Sequence, residues 1–245
     1  MLSTDDYERG KAKTRYNITQ ISERLPEKGN KVVVEVSNLN TEPDSPTPPQ
    51  HKILSEVQKI LFLAATPEDQ VILNMGRELN KIEQALSLST YRGKFKLETK
   101  TAVKVPDITQ AMQVHRPQIV HFSGHGSGEL GLVVEDDAGQ SRFFPTTGLD
   151  RLFRLFKNNV KCVVLSACYS ADQAEVISKH GMYVIGMNNS VSDTAAIDFA
   201  TGFYQSLGEG YDYEFAFEIA LVNTSPNLED ADYPELWHNG KKLDL

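Results

Sequence analysis

Residues 118–128, QIVHFSGHGSG, and residues 162–170, CVVLSACYS, each begin as a short continuous apolar run and end in small and polar residues. Runs of this length, rich in Val, Ile and Leu, suit strands buried on both faces, because neither side of such a strand meets water. Three further β-prone runs accompany them: ILFLAA at 60–65, FKLETK at 95–100 and MYVIGM at 182–187. Segments of helical period lie between. Met75, Leu79, Ile82 and Leu86 recur at intervals of four, three and four, which puts them on one face of a helix. Residues 150–156 and 172–180 supply shorter crossovers, Ala196, Phe199, Ala200, Phe203 and Leu207 mark a long amphipathic helix, and Phe215, Ile219 and Val222 mark another. This alternation predicts an α/β fold, an open and mainly parallel sheet with helices on both faces. One interruption, GELGLVVEDDAGQSRFF at 128–144, sets two β-prone runs about the turn-forming DDAG and predicts a small β-hairpin insertion.

The length of 245 residues allows one large domain or two small ones. With 40% hydrophobic and 24% charged residues, a disordered or fibrous chain is excluded. Lys and Arg number 25 against 33 Asp and Glu, a net charge of −8, so no general positive field exists to hold a phosphate backbone and nucleic acid is not an expected partner. No apolar stretch reaches the roughly 18 residues of a membrane helix, and the opening MLSTDDYERGKAK lacks the apolar core of a secretory signal. The expectation is a cytoplasmic protein without a membrane partner. Residues 1–37 are expected to form a regulatory appendage, with one helix at about 5–24 and one β-branched run, KVVVEV, at 31–36. The proline-rich NLNTEPDSPTPPQ marks a linker over 38–51 and leaves 52–245 as the main domain. No repeat of solenoid period is present.

In open parallel sheets, ligands and reactive groups gather where strands end at their carboxyl edge. The strand at 118–123 leaves through Ser123-Gly124-His125-Gly126-Ser127-Gly128, and the strand at 162–167 through Ser166-Ala167-Cys168-Tyr169-Ser170. If the two strands are neighbours, an imidazole and a thiol meet at a common rim. A thiol with a pKa near 8.5 needs a base or a positive charge to become a nucleophile, and His125 can provide it. The amides of Gly126 and Cys168 are candidates for an oxyanion hole, and the helix expected after Cys168 favours a thiolate at its amino end. Cys162 opens an apolar strand and reads as structural, and extended geometry puts it too far from Cys168 for a disulfide. His121 reads as a core-strand histidine. The spacing His121-x-x-x-His125 is no metal face on a strand and has no evident third ligand, so neither a metal nor another cofactor is expected. SGHGSG lacks the Lys-Ser/Thr ending of a phosphate loop and opens no helix of dinucleotide-binding type.

Three blocks, HFSGHGSGELGLVVEDDAG at 121–139, VVLSACYS at 163–170 and MNNSVSDTAAIDFATGFYQSLGEG at 187–210, resemble the CHAT branch of the caspase-like cysteine peptidases, in the clan of caspases, separase and gingipain. The resemblance spans about 60–225, and His125 precedes Cys168 by about 43 residues, similar to the roughly 50 of caspases. It implies a caspase-like sheet and hydrolysis of protein or peptide substrates by a Cys/His dyad. Cys168 is then the nucleophile, His125 the general base and acid, and no third triad member is required. It also implies a place in regulated bacterial proteolysis, antiviral defence included, with activation by a protein or protease acting through the N-terminal segment. Relatives that prefer basic residues commonly carry an acid two positions before the nucleophile; here that position is Ser166, so a basic preference is not inherited. Asp193 is the candidate substrate-binding residue, although Ser192 or Asp193 serving as a helix cap is the favoured reading of that pair. Glu135, Asp136 and Asp137 are expected at a solvated hairpin tip. Two other readings stay open: a catalytically silent adaptor on the same fold, and a small-molecule or nucleotide-binding module.

Overall fold

Each of the five apolar runs forms a strand in the computed structural model, which describes residues 56–226 and 232–245. The expectations for residues 1–51, appendage and linker alike, lie outside the described residues. Strands β1 (Gln58–Ala64), β2 (Phe95–Lys100), β3 (Ile119–Ser123), β6 (Cys162–Ser166) and β7 (Tyr183–Met187) are parallel and stand in the order β2-β1-β3-β6-β7. The hairpin strands β4 (Leu132–Glu135) and β5 (Ser141–Phe144) form a separate antiparallel pair across the DDAG turn. The C-terminal strands β8 (Pro234–His238) and β9 (Lys241–Lys242) extend the main sheet antiparallel beyond β7, giving seven strands.

Successive side chains of a strand point to opposite faces, so each central strand feeds two cores. On one face Leu61, Leu63, Val120, Phe122, Val163 and Leu165 pack with helices α2 (Val105–His115), α3 (Thr146–Phe156) and α4 (Ala171–Ser178). On the other, Ile60, Phe62, Ile119, Val164 and Ile185 pack with α1 (Met75–Leu88), α5 (Asp193–Gly208) and α6 (Tyr213–Thr224). Cys162 lies in this second core with 0% exposure, and burial pushes its thiol pKa far above the usual range, so it stays a thiol. Both cysteines are free.

Two details depart from expectation. Helix α3 begins at Thr146, a turn before the residue at which its apolar stripe becomes visible, because Pro145 sets the extended N-cap. Glu135 is not at a solvated tip: it is 9% exposed, and its Oε1 accepts the N–H of Thr66 at 2.9 Å. The last residue of β4 thus reaches inward to hold the loop after β1. Only Asp136 and Asp137 form the tip. Asp136 Oδ1 accepts two turn amides, and the exposed Asp137 pairs with Lys104 at 2.9 Å, which holds its carboxyl below the usual range.

Candidate active site

Pairing of β3 with β6 sets Ser123 opposite Ser166, so the two exits leave the sheet side by side. The loops then touch. A side-chain carbon at Gly126 would run into the carbonyl oxygen of Cys168, so only glycine lets the backbones approach this closely. On the other loop Tyr169 takes φ 56, a left-handed conformation uncommon for a bulky residue. It turns the chain between Cys168 and Ser170, the N-cap of α4. Among the described residues the N–H groups of Gly126 and Cys168 have no protein acceptor.

His125 and Cys168, both half-buried, line one cavity of about 50 Å³ together with Asp193, Glu78, Ser123 and Ser166. The two reactive groups are not hydrogen-bonded to each other among the described residues. Cys168 Sγ accepts the N–H of Val191 at 3.4 Å and lies 3.7 Å from Ser190 Oγ. His125 Nε2 sits 2.8 Å from the carbonyl oxygen of Val71. A carbonyl only accepts, so Nε2 carries a hydrogen and a neutral ring keeps its acceptor at Nδ1. Val71 belongs to the loop between β1 and α1, which is tied to β5 through Asp69 and Ser141 and to Asp193 through the Asn74 N–H, 2.9 Å from Asp193 Oδ2. Ser192, not Asp193, caps α5, its Oγ accepting the N–H of Ala195 at 3.3 Å. Asp193 is the first helical residue and its carboxylate is left to face the cavity.

Beneath the cavity lies a buried polar chain that the sequence does not announce. His121, 0% exposed, places Nε2 3.0 Å from Glu78 Oε1 and Nδ1 3.1 Å from the Tyr204 hydroxyl, and Ser123 Oγ donates to Glu78 Oε2. It joins α1, β3 and α5 below the His125 loop. His121 is thus a core histidine, as its strand position implied, and also the hub of this network. A signal for Glu78 does exist: the buried face of α1 runs Met75, Glu78, Ile82, Leu86, so an acid stands within the apolar stripe. The Val71 carbonyl leaves no signal, since every residue has one. No group of three or more His, Cys, Asp or Glu is placed to hold a metal ion among the described residues.

The sequence matches the CHAT domain family over residues 20–237. The chain belongs to the CHAT family. Among curated relatives, a Roc-COR-CHAT protease from an unknown prokaryotic organism is 27% identical over 175 residues, 69% of this CHAT chain and 16% of the relative. A Roc-COR-CHAT protease of Runella zeae is 29% identical over 183 residues, covering 71% and 19%. The CHAT chain therefore spans less than a fifth of the length of these two relatives. Among solved structures, the Arg-specific cysteine proteinase gingipain R superposes with a TM-score of 0.52 at 14% identity, over 74% of this chain and 44% of that one. That likeness concerns the fold: the CHAT domain has the caspase-like α/β architecture.

Proposed function

We propose that this CHAT domain is a cysteine endopeptidase acting on protein substrates through Cys168 and His125. Its setting on this reading is a regulated cytoplasmic pathway of bacterial defence, for which the family resemblance is the support. The observation that carries the chemistry is that thiol and imidazole line one cavity at the ends of paired strands. His125 Nδ1 takes the thiol proton, and the sulfur's electron pair forms a bond to the substrate carbonyl carbon as the C=O pair moves to oxygen. The N–H groups of Gly126 and Cys168 receive that oxyanion. Collapse breaks the C–N bond, the leaving amine takes the proton from the imidazolium, and water deprotonated by the same ring hydrolyses the thioester. Val71, by accepting from Nε2, fixes which nitrogen does this work.

In the resting state the sulfur rests on Val191 rather than on the imidazole, and a side-chain rotation that closes this gap is part of the mechanism. The same feature favours the second reading, a silent adaptor in which the gap never closes. Turnover of a diverse peptide library separates the two. Wild type and Cys162→Ala are expected to cleave, Cys168→Ala to be inactive, and His125→Ala to lose about 10²–10⁴-fold. Cleavage that survives Cys168→Ala, or is lost only with Cys162→Ala, contradicts the assignment.

A further inference from the structure

We infer that the cavity beside Cys168 selects an aliphatic side chain on the substrate residue whose carbonyl is attacked, with Leu73, Val191 and Ile197 as the specificity-determining walls. The inference rests on the peptidase reading and adds the side-chain class of its substrate. The walls are mainly apolar: Leu73, Met75, Ala167, Val191, Ala196 and Ile197. Leu73 and Val191 pack against the core that α1 and α5 share, so these walls are backed by fixed structure.

Two carboxylates also face the cavity, and each is already engaged. Both oxygens of Glu78, 4% exposed, are held from behind, Oε1 by His121 at 3.0 Å and Oε2 by the Ser123 hydroxyl. Asp193 Oδ2 accepts the Asn74 N–H at 2.9 Å, and as the first residue of α5 it also answers the partial positive charge of that helix end. A lysine or arginine head entering here would shed its water for a Glu78 carboxylate bonded at both oxygens and an Asp193 carboxylate bonded at one. An acidic side chain fares no better, because no Lys or Arg lines the cavity. Size narrows the choice further. The cavity is small, about 50 Å³ against the ~150 Å³ that holds a benzene ring, so a flexible or branched aliphatic chain enters it with less displacement of the walls than a rigid aromatic ring.

The test uses the full chain and a series of peptidyl acyloxymethyl ketones that differ only in the residue next to the warhead. The rate of covalent labelling is read by intact mass and assigned to a cysteine by peptide mapping. Leucine, methionine or valine is expected to label Cys168 about 10–100-fold faster than lysine, arginine, aspartate or phenylalanine. Leu73→Asp, which adds a carboxylate without partners, should narrow the gap to lysine, while Ala196→Leu should slow leucine more than alanine. Equal rates across the series, or faster labelling by a basic probe, overturn the aliphatic assignment while leaving the peptidase reading intact. Failure of every probe to modify Cys168, or labelling unchanged in Cys168→Ala, overturns both.

Discussion

Gly126 has no room for a methyl group, because the carbonyl oxygen of Cys168 occupies the place where one would stand. Gly126→Ala must therefore push the His125 and Cys168 loops apart. The expected result is a loss of stability of about 1–3 kcal/mol and loss of peptide turnover, checked by denaturant unfolding and a cleavage assay. Wild-type turnover in Gly126→Ala would show that the contact is dispensable. Glu78→Gln tests the buried chain beneath the site. It keeps the shape but replaces an acceptor for His121 or Ser123 with a donor, and should cost about 1–3 kcal/mol by the same measurement. His125 and Cys168 could be named from sequence because glycines and small residues flank a reactive group where an apolar run stops. The Val71 carbonyl could not, and Glu78 looks like any charged residue of an amphipathic helix until its place in the stripe is weighed.

The elements that the sequence pattern does not announce are those with weak periodicity or few residues. Helix α2 buries only Ile108, Ala111 and Met112, and β9 is two residues long. Strand β8 alternates as a half-covered strand does, with Pro234 and Leu236 buried, but a run of five is too short to separate from a loop by pattern alone. This end of the sheet carries a pH dependence. Burial raises the pKa of Glu235, yet hydrogen bonds from the Lys242 ammonium and the Asn188 amide outweigh it and hold the carboxyl below its usual 4.5. A lowered folded pKa gives stability that is full above the unfolded value and is lost as pH falls through the folded one. The β8–β9 end should therefore loosen below about pH 4.5, followed by the fluorescence of Trp237 on β8, the single tryptophan of the chain. Lys242→Ala removes one of the groups that lower Glu235, so the variant should lose less of its stability as the pH falls through this range. An acid loss of unchanged size would mean that the ion pair does not hold the strand.

Across the whole domain, the strand order explains why one rim collects the chemistry. The chain passes from β1 out to β2 and returns on the other side of β1 as β3, so the direction of winding reverses between β1 and β3, and β6 follows beside β3. At such a reversal the loops part and leave a crevice. The loop after β1 contributes the Val71 carbonyl, β3 contributes His125, β6 contributes Cys168 and the start of α5 contributes Asp193. Five strands and the two-sided helical cover were legible because buried strands and amphipathic helices impose distinct periods. Their neighbour relations were not, because pairing is decided by long-range packing. For the full chain, the proline-rich 38–51 is the expected place for an activating cut. Introducing a specific protease site there and cutting it should raise peptide turnover; turnover unchanged by the cut would contradict regulation through this segment.

Whether thiol, imidazole and the two backbone amides converge on one substrate carbonyl is read from a crystal structure of the peptidyl ketone adduct. The expected adduct has a thioether at Cys168 Sγ, formed as the probe's carboxylate leaves, His125 Nδ1 turned toward the sulfur with Nε2 still on the Val71 carbonyl, and the retained ketone oxygen facing the N–H groups of Gly126 and Cys168. An adduct on Cys168 with the imidazole still beyond reach of the sulfur, or an oxygen facing away from both amides, would contradict that convergence.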